Sequence, residues 1–155
     1  MNAEQYQKLL AKLGACGEAR HEADGKSLEE VWATCQRGDW MLWLAQHVRV
    51  NIKLLMLAKC DCAEQAIQYT TSAQPAVTIA VARRWAVGEA TDAEMFAAAR
   101  SAACAADAAS WAAAWAARAA DAAWAESLAE SARRVRKRIA YDVILTATEA
   151  AGGKT

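Results

Sequence analysis

Proline occurs once in these 155 residues, at Pro75, and phenylalanine once, at Phe96. Glycine is confined to positions 14, 17, 25, 38, 88, 152 and 153, which leaves long runs free of helix-interrupting residues. Alternating β-branched stretches are scarce as well. The longest, "AVTIAVA", directly follows Pro75, which suits the first turn of a helix because the missing N–H has no partner there anyway. These scarcities argue against a β-sandwich or barrel and predict an all-α chain.

Net charge is missing too. Eighteen Lys and Arg balance eighteen Asp and Glu, so no bulk field steers the protein toward nucleic acid or an anionic membrane. The five cysteines, Cys16, Cys35, Cys60, Cys62 and Cys104, are odd in number and irregularly spaced, as expected of free thiols in a reducing compartment. The opening "MNAEQYQKLL" carries acid and lysine and no continuous apolar run, so it does not read as a signal peptide and a cytoplasmic address is expected. The stretch Ser101–Ala117 contains Asp107 and Ser110, is edged by Arg100 and Arg118, and offers Ala where a membrane span needs Leu or Ile. Neither membrane association nor a cofactor is expected.

What is present is helical periodicity with caps. Tyr6, Leu9, Leu10 and Leu13 predict a helix ending near Gly14, followed by a loop with Cys16 and Gly25. "SLEE" is a capping box that starts a helix at Leu28, with Val31, Trp32 and Cys35 on its apolar stripe. Gly38 reads as the left-handed stop of that helix and Asp39 as the N-cap of the next. Arg37-Gly38-Asp39 is therefore expected to be a stop and a cap, not an exposed adhesive loop. The helix after it, with Trp40, Trp43, Leu44 and His47 on one face, is apolar nearly all round and belongs in the centre of a bundle. Asn51 caps a helix holding Ile52, Leu55, Met56, Cys60, Ala63 and Ile67. Another helix runs from Pro75 to Val87 with Val77, Val81 and Trp85 in line, and Gly88 closes it.

Thr91 and Glu94 form a second capping box, opening an alanine-rich run without Gly or Pro until Gly152. Unbroken, that run would measure about 85 Å, too long for one domain of this size, so a break is expected near Ala117 to Ala122. Cys104, Trp111 and Trp115 share one face there, and Trp124, Leu128, Val135 and Ile139 another. The fold expected is a single helical domain over 1–150: an all-α bundle of about six to eight helices with a long alanine-rich C-terminal helical segment, and a disordered tail over 151–155.

Chemistry-bearing constellations are few. His21 and His47 are the only histidines and neither has a partner motif. Cys60 and Cys62 point about 200° apart on a helix and cannot share an ion. Cys16, His21 and Cys35 lack ligand-pair spacing, so no metal site is expected. The strongest charge feature is "RRVRKR", where Arg133, Arg134, Arg136, Lys137 and Arg138 surround Val135. It reads either as a solvated face paired with Glu126 and Glu130, or as a surface for phosphates or an acidic protein. Trp111 and Trp115 are either spacers between small helices or interface anchors.

Three segments carry a resemblance: "LAKLGACGEAR", "SLEEVWATCQRGDWMLWLAQ" and "RRWAVGEAT", leading into the alanine-rich tail. Together they resemble the immunity proteins of bacterial polymorphic toxin systems, in the group similar to their fifth immunity family. The specific part is Cys35 to Leu44, with Arg37, Gly38, Asp39, Trp40 and Trp43 in place. The resemblance implies a small helical, non-enzymatic protein that neutralises a cognate toxin by protein–protein contact, and it brings no catalytic residues. Members also look at home in phage genomes, which leaves a second partner open: a subunit of a host defence complex, inhibited in an anti-CRISPR-like way. The residues expected to bind the partner are Arg133, Arg134, Arg136, Lys137 and Arg138 with Trp111 or Trp115. A homodimer, direct nucleic-acid binding through the basic run, and a hydrolase or transferase acting through Cys35 or His47 are the competing expectations.

Overall fold

A computed structural model describes residues 1–67, 73–98, 100 and 121–152, and among these there is helix and no strand. The elements are α1 (Ala3–Lys12), α2 (Gly17–Glu22), α3 (Leu28–Thr34), α4 (Gly38–His47), α5 (Ile52–Ile67), α6 (Gln74–Val87), α7 (Asp121–Arg138) and α8 (Tyr141–Gly152). A further helical segment covers 92–98.

Side-chain caps account for four of the starts. Ser27 Oγ accepts from the Glu30 amide at 3.2 Å while Glu30 returns a carboxylate to the Ser27 N–H at 2.7 Å. Thr91 and Glu94 repeat this reciprocal pair at 3.2 and 2.8 Å. Asn2 and Gln5 form a third capping box, which the sequence pattern did not single out. Asn51 Oδ1 accepts from the amides of Lys53 and Leu54 at 3.0 and 3.3 Å. Each arrangement satisfies N–H groups that a helix start leaves without intrahelical partners.

Three of the ends close on a left-handed residue, one of them not a glycine. α1 closes on Gly14 at φ +77° and α6 on Gly88 at φ +86°. α4 closes in the same hand on Arg49, at φ +62°. There the Val50 N–H reaches the Ala45 carbonyl at 2.9 Å and the Arg49 N–H reaches Gln46 at 3.2 Å, the double bond of a Schellman motif.

α4, α5 and α7 pack against one another at the centre, α6 lies on α5, and α3 meets α8. Leu28, Leu55, Val135, Ile139 and Ile144 are fully buried, and so is Thr148, whose hydroxyl donates to the Leu145 carbonyl at 2.7 Å. Alanine does much of the packing: Ala45, Ala58 and Ala132 have no exposure, and α6 buries Ala82 and Ala86 while Val77 stays exposed.

Several expectations are corrected. Gly38 is not a left-handed stop: α3 ends at Thr34, and Gly38 is the first residue of α4. A Cβ placed on Gly38 would lie 2.5 Å from Ser131 Cβ, 2.6 Å from Ser131 C and 2.7 Å from the Ala132 nitrogen. Glycine stands there because α4 crosses α7 backbone to backbone. Asp39 is not the N-cap either. Arg37 holds that position without a side-chain cap bond, and Asp39 lies inside the first turn. The loop after Gly14 contains α2. Ile52, at the start of the helix that Asn51 caps, is exposed. The C-terminal run breaks between Arg138 and Tyr141, and α8 reaches Gly152, past the expected start of a tail. The break expected at 117–122 lies, for the most part, outside the described residues.

Gly38→Ala is expected to lower unfolding stability by about 2–3 kcal/mol in denaturant titration, because backbone atoms cannot yield to the methyl. Arg49→Gly is expected to raise it by about 0.5–1 kcal/mol, since glycine adopts that φ without a Cβ penalty but is freer when unfolded.

Candidate functional site

The basic run of α7 faces inward more than its composition suggests. Arg136 extends beneath the end of α3, its guanidinium donating to the carbonyls of Cys35 at 2.8 Å and Trp32 at 3.3 Å. It thereby satisfies acceptors that a helix C-terminus leaves open. Arg138 forms a fork on Asp61, with contacts of 2.8 and 3.1 Å. Arg134 joins Glu130 at 2.8 Å to the Asp61 carbonyl at 2.8 Å, and Arg133 pairs with Glu130 at 2.7 Å. Lys137 is exposed and pairs with none of the described residues.

Asp61 is the hub. Arg83 of α6 donates to it at 2.7 Å and to Glu64 at 2.8 Å, so one carboxylate on α5 ties α6 to α7. Its side chain is only 17% exposed. Burial opposes its ionisation, but the Arg138 fork and the Arg83 bond outweigh that and hold its carboxyl below the ordinary value. Sequence reasoning missed Asp61. Its signal was an acid between Cys60 and Cys62 on an inward-leaning helix, opposite Arg134 and Arg138 spaced one turn apart.

The Arg37-Gly38-Asp39 segment is also internally engaged. Arg37 grips Asp39 with two bonds of 2.9 and 2.8 Å and lies 4.2 Å above the Trp40 ring. Cation–π contact and bidentate pairing together fix the guanidinium at the N-terminus of α4. Burial disfavours the Asp39 carboxylate, yet Arg37 holds its pKa below the usual range.

Beside this segment a cleft of about 430 Å³ opens between α1, α2, α3 and α4. Tyr6, Trp32, Trp40 and Trp43 line it, with Leu10, Val31, Met41 and Leu44 supplying further apolar wall. Its carboxylates are Glu22, paired with Lys26 at 2.9 Å, and Asp39, paired with Arg37.

Among the described residues, none of His47, His21 and Cys35 meets a partner suited to chemistry. His47 is exposed, stacks on Trp43 with ring centroids 4.2 Å apart, and meets the Trp43 carbonyl at 2.8 Å through Nδ1. His21 is exposed on α2. Burial pushes the Cys35 thiol above its ordinary pKa, against the pull of the Arg37 amide and Arg136. Cys60 and Cys62 diverge to the carbonyls of Ile79 and Ser131. No group of three metal-ligating side chains occurs among the described residues. No helix among them is long and apolar enough to cross a membrane. Trp111, Trp115 and Cys104 lie outside the described residues. Large apolar side chains exposed among the rest are Ile52, Val77, Val87 and Phe96, three of them within 77–96.

Asp61→Asn is expected to cost about 1–3 kcal/mol near neutral pH by leaving the Arg138 guanidinium without its counter-charge and Arg83 with Glu64 alone. The wild-type carboxyl titrates lower folded than unfolded, so its contribution is present above about pH 4 and lost as pH falls through the folded value. Unfolding titrations should therefore converge for wild type and variant in acid. Mass-mapped alkylation at neutral pH should modify exposed Cys16 well before buried Cys35 and Cys60; prompt labelling of Cys35 would restore it as a nucleophile.

No family model, curated protein or solved structure matches this chain.

Proposed function

We propose that the chain is a non-enzymatic binding protein that neutralises a cognate bacterial toxin by protein–protein contact. The observation that carries this reading is the placement of Phe96. The chain's one phenylalanine is 69% exposed, in the stretch that also exposes Val77 and Val87. A large aromatic held on a helical segment anchors an interface at little conformational cost. The burial of the Cys35 and Cys60 thiols and the engagement of His47 by Trp43 alone support a role without catalysis. The resemblance of the Cys35 to Leu44 segment to immunity proteins supplies the class of partner.

The basic run takes a smaller part than its sequence promised. Arg134, Arg136 and Arg138 are engaged across helices, which leaves Lys137 and the outer side of Arg133 to meet an acidic surface. The contact is therefore placed first on 77–96, with Trp111 and Trp115 continuing as candidates further along the chain.

The test is co-expression with candidate toxin domains from the same genome, reading growth rescue and complex formation by size-exclusion chromatography. Rescue from one toxin with a stoichiometric complex is expected, weakened about tenfold or more in affinity by Phe96→Ser. Failure to rescue or bind any of them overturns the reading, and a stable complex with a defence-complex subunit instead would move the protein to the other partner class.

A further inference from the structure

Trp32, which lines the cleft between α1, α2, α3 and α4, carries a polar atom that the fold leaves unused. Trp32 is 4% exposed and lines the cleft, and its indole N–H is buried with no hydrogen-bond partner. Buried donors are almost always paired, because an unpaired one loses its hydration without compensation. Nothing nearby repairs the deficit: Cys35, on the same wall, directs its thiol to the Arg37 carbonyl at 3.6 Å.

The remaining chemistry of the cleft narrows what would repair it. Its volume of about 430 Å³ falls within the range of small-molecule sites. Four aromatic residues, Tyr6, Trp32, Trp40 and Trp43, dominate the lining. Burial raises the Tyr6 phenol well above its ordinary pKa, so it stays a neutral hydroxyl. Glu22 and Asp39 each carry an internal cation, Lys26 and Arg37, so the cleft presents no unneutralised charge. A charged ligand would lose hydration with no opposite charge in return. A neutral one with a flat apolar body and a single acceptor fits every wall.

From this we infer that the cleft is a binding site for a neutral, largely aromatic small molecule bearing a carbonyl-type acceptor, which takes the Trp32 indole N–H. The site lies on α1 to α4, apart from the 77–96 stretch assigned to the protein partner, so it stands or falls independently of toxin binding.

The probe is 6-propionyl-2-(dimethylamino)naphthalene, a neutral two-ring ketone whose emission shifts blue on leaving water, compared with 2-(dimethylamino)naphthalene, which lacks the ketone. Wild-type protein is expected to bind the ketone saturably at one site and the ketone-free compound about tenfold more weakly, as loss of one hydrogen bond to a buried donor implies. In ¹⁵N-resolved spectra one indole N–H signal, assigned by its loss in Trp32→Phe, should move downfield with the ketone only. Trp32→Phe should bind both compounds equally. No saturable binding of the ketone, equal affinity for the two compounds in wild type, or an unmoved Trp32 signal would each overturn the assignment; the wild-type comparisons hold even if the variant fails to fold.

Discussion

Backbone meets backbone where the first turn of α4 crosses α7, and a missing side chain at Gly38 permits it. The Cβ that any other residue would bring has nowhere to go between Ser131 and Ala132. Neighbouring contacts pin the same place from the other side: Cys62 directs its thiol to the Ser131 carbonyl at 3.6 Å, and Gln65 donates to the Ser131 hydroxyl at 3.0 Å. α4, α5 and α7 are thus fixed at one crossing. Ala132 and Val135 then bury completely along the inner face of α7, as does Ile139 just past its end, and the cations on its flanks are carried to the partners that consume them.

Once α7 is seated, electrostatics follow from geometry. Arg136 falls beneath the end of α3, and Arg134 and Arg138 fall on Asp61. A cluster that looks like a surface for an acidic partner becomes an internal brace, because an arginine fork within reach of a half-buried carboxylate gains more there than in water. The recognition proposed for this chain then falls to groups the brace does not use: exposed apolar side chains on 77–96 and the tryptophan-lined cleft between α1 and α4.

Much of this architecture was legible in the sequence where one residue decides one local feature. Ser27 with Glu30, Thr91 with Glu94, Asn51, Pro75 and Gly88 each act through their own backbone neighbourhood, and each stands where expected. Gly38 was legible as special but not for its reason, since a glycine required by a distant helix looks the same in sequence as one required by its own φ. The exposed Val77 was misjudged, and Ala82 and Ala86 are buried in the same helix, because periodicity ranks faces by hydrophobicity whereas close helix packing selects for small size. Asp61 left only a faint signal, because its role depends on arginines more than twenty residues away, and the unpaired Trp32 donor left none, because it depends on a partner that is absent from its surroundings.

The claim that α7 spends its cations on the fold is tested most directly by unfolding titrations of single alanine variants across it. Arg136→Ala, which strips the end of α3 of its donors, should lose about 2 kcal/mol, and Arg138→Ala a comparable amount. Lys137→Ala should stay within about 0.5 kcal/mol of wild type, as surface substitutions do. If all three variants unfold alike and near wild type, the basic run is a free surface after all and the division between brace and recognition face is wrong.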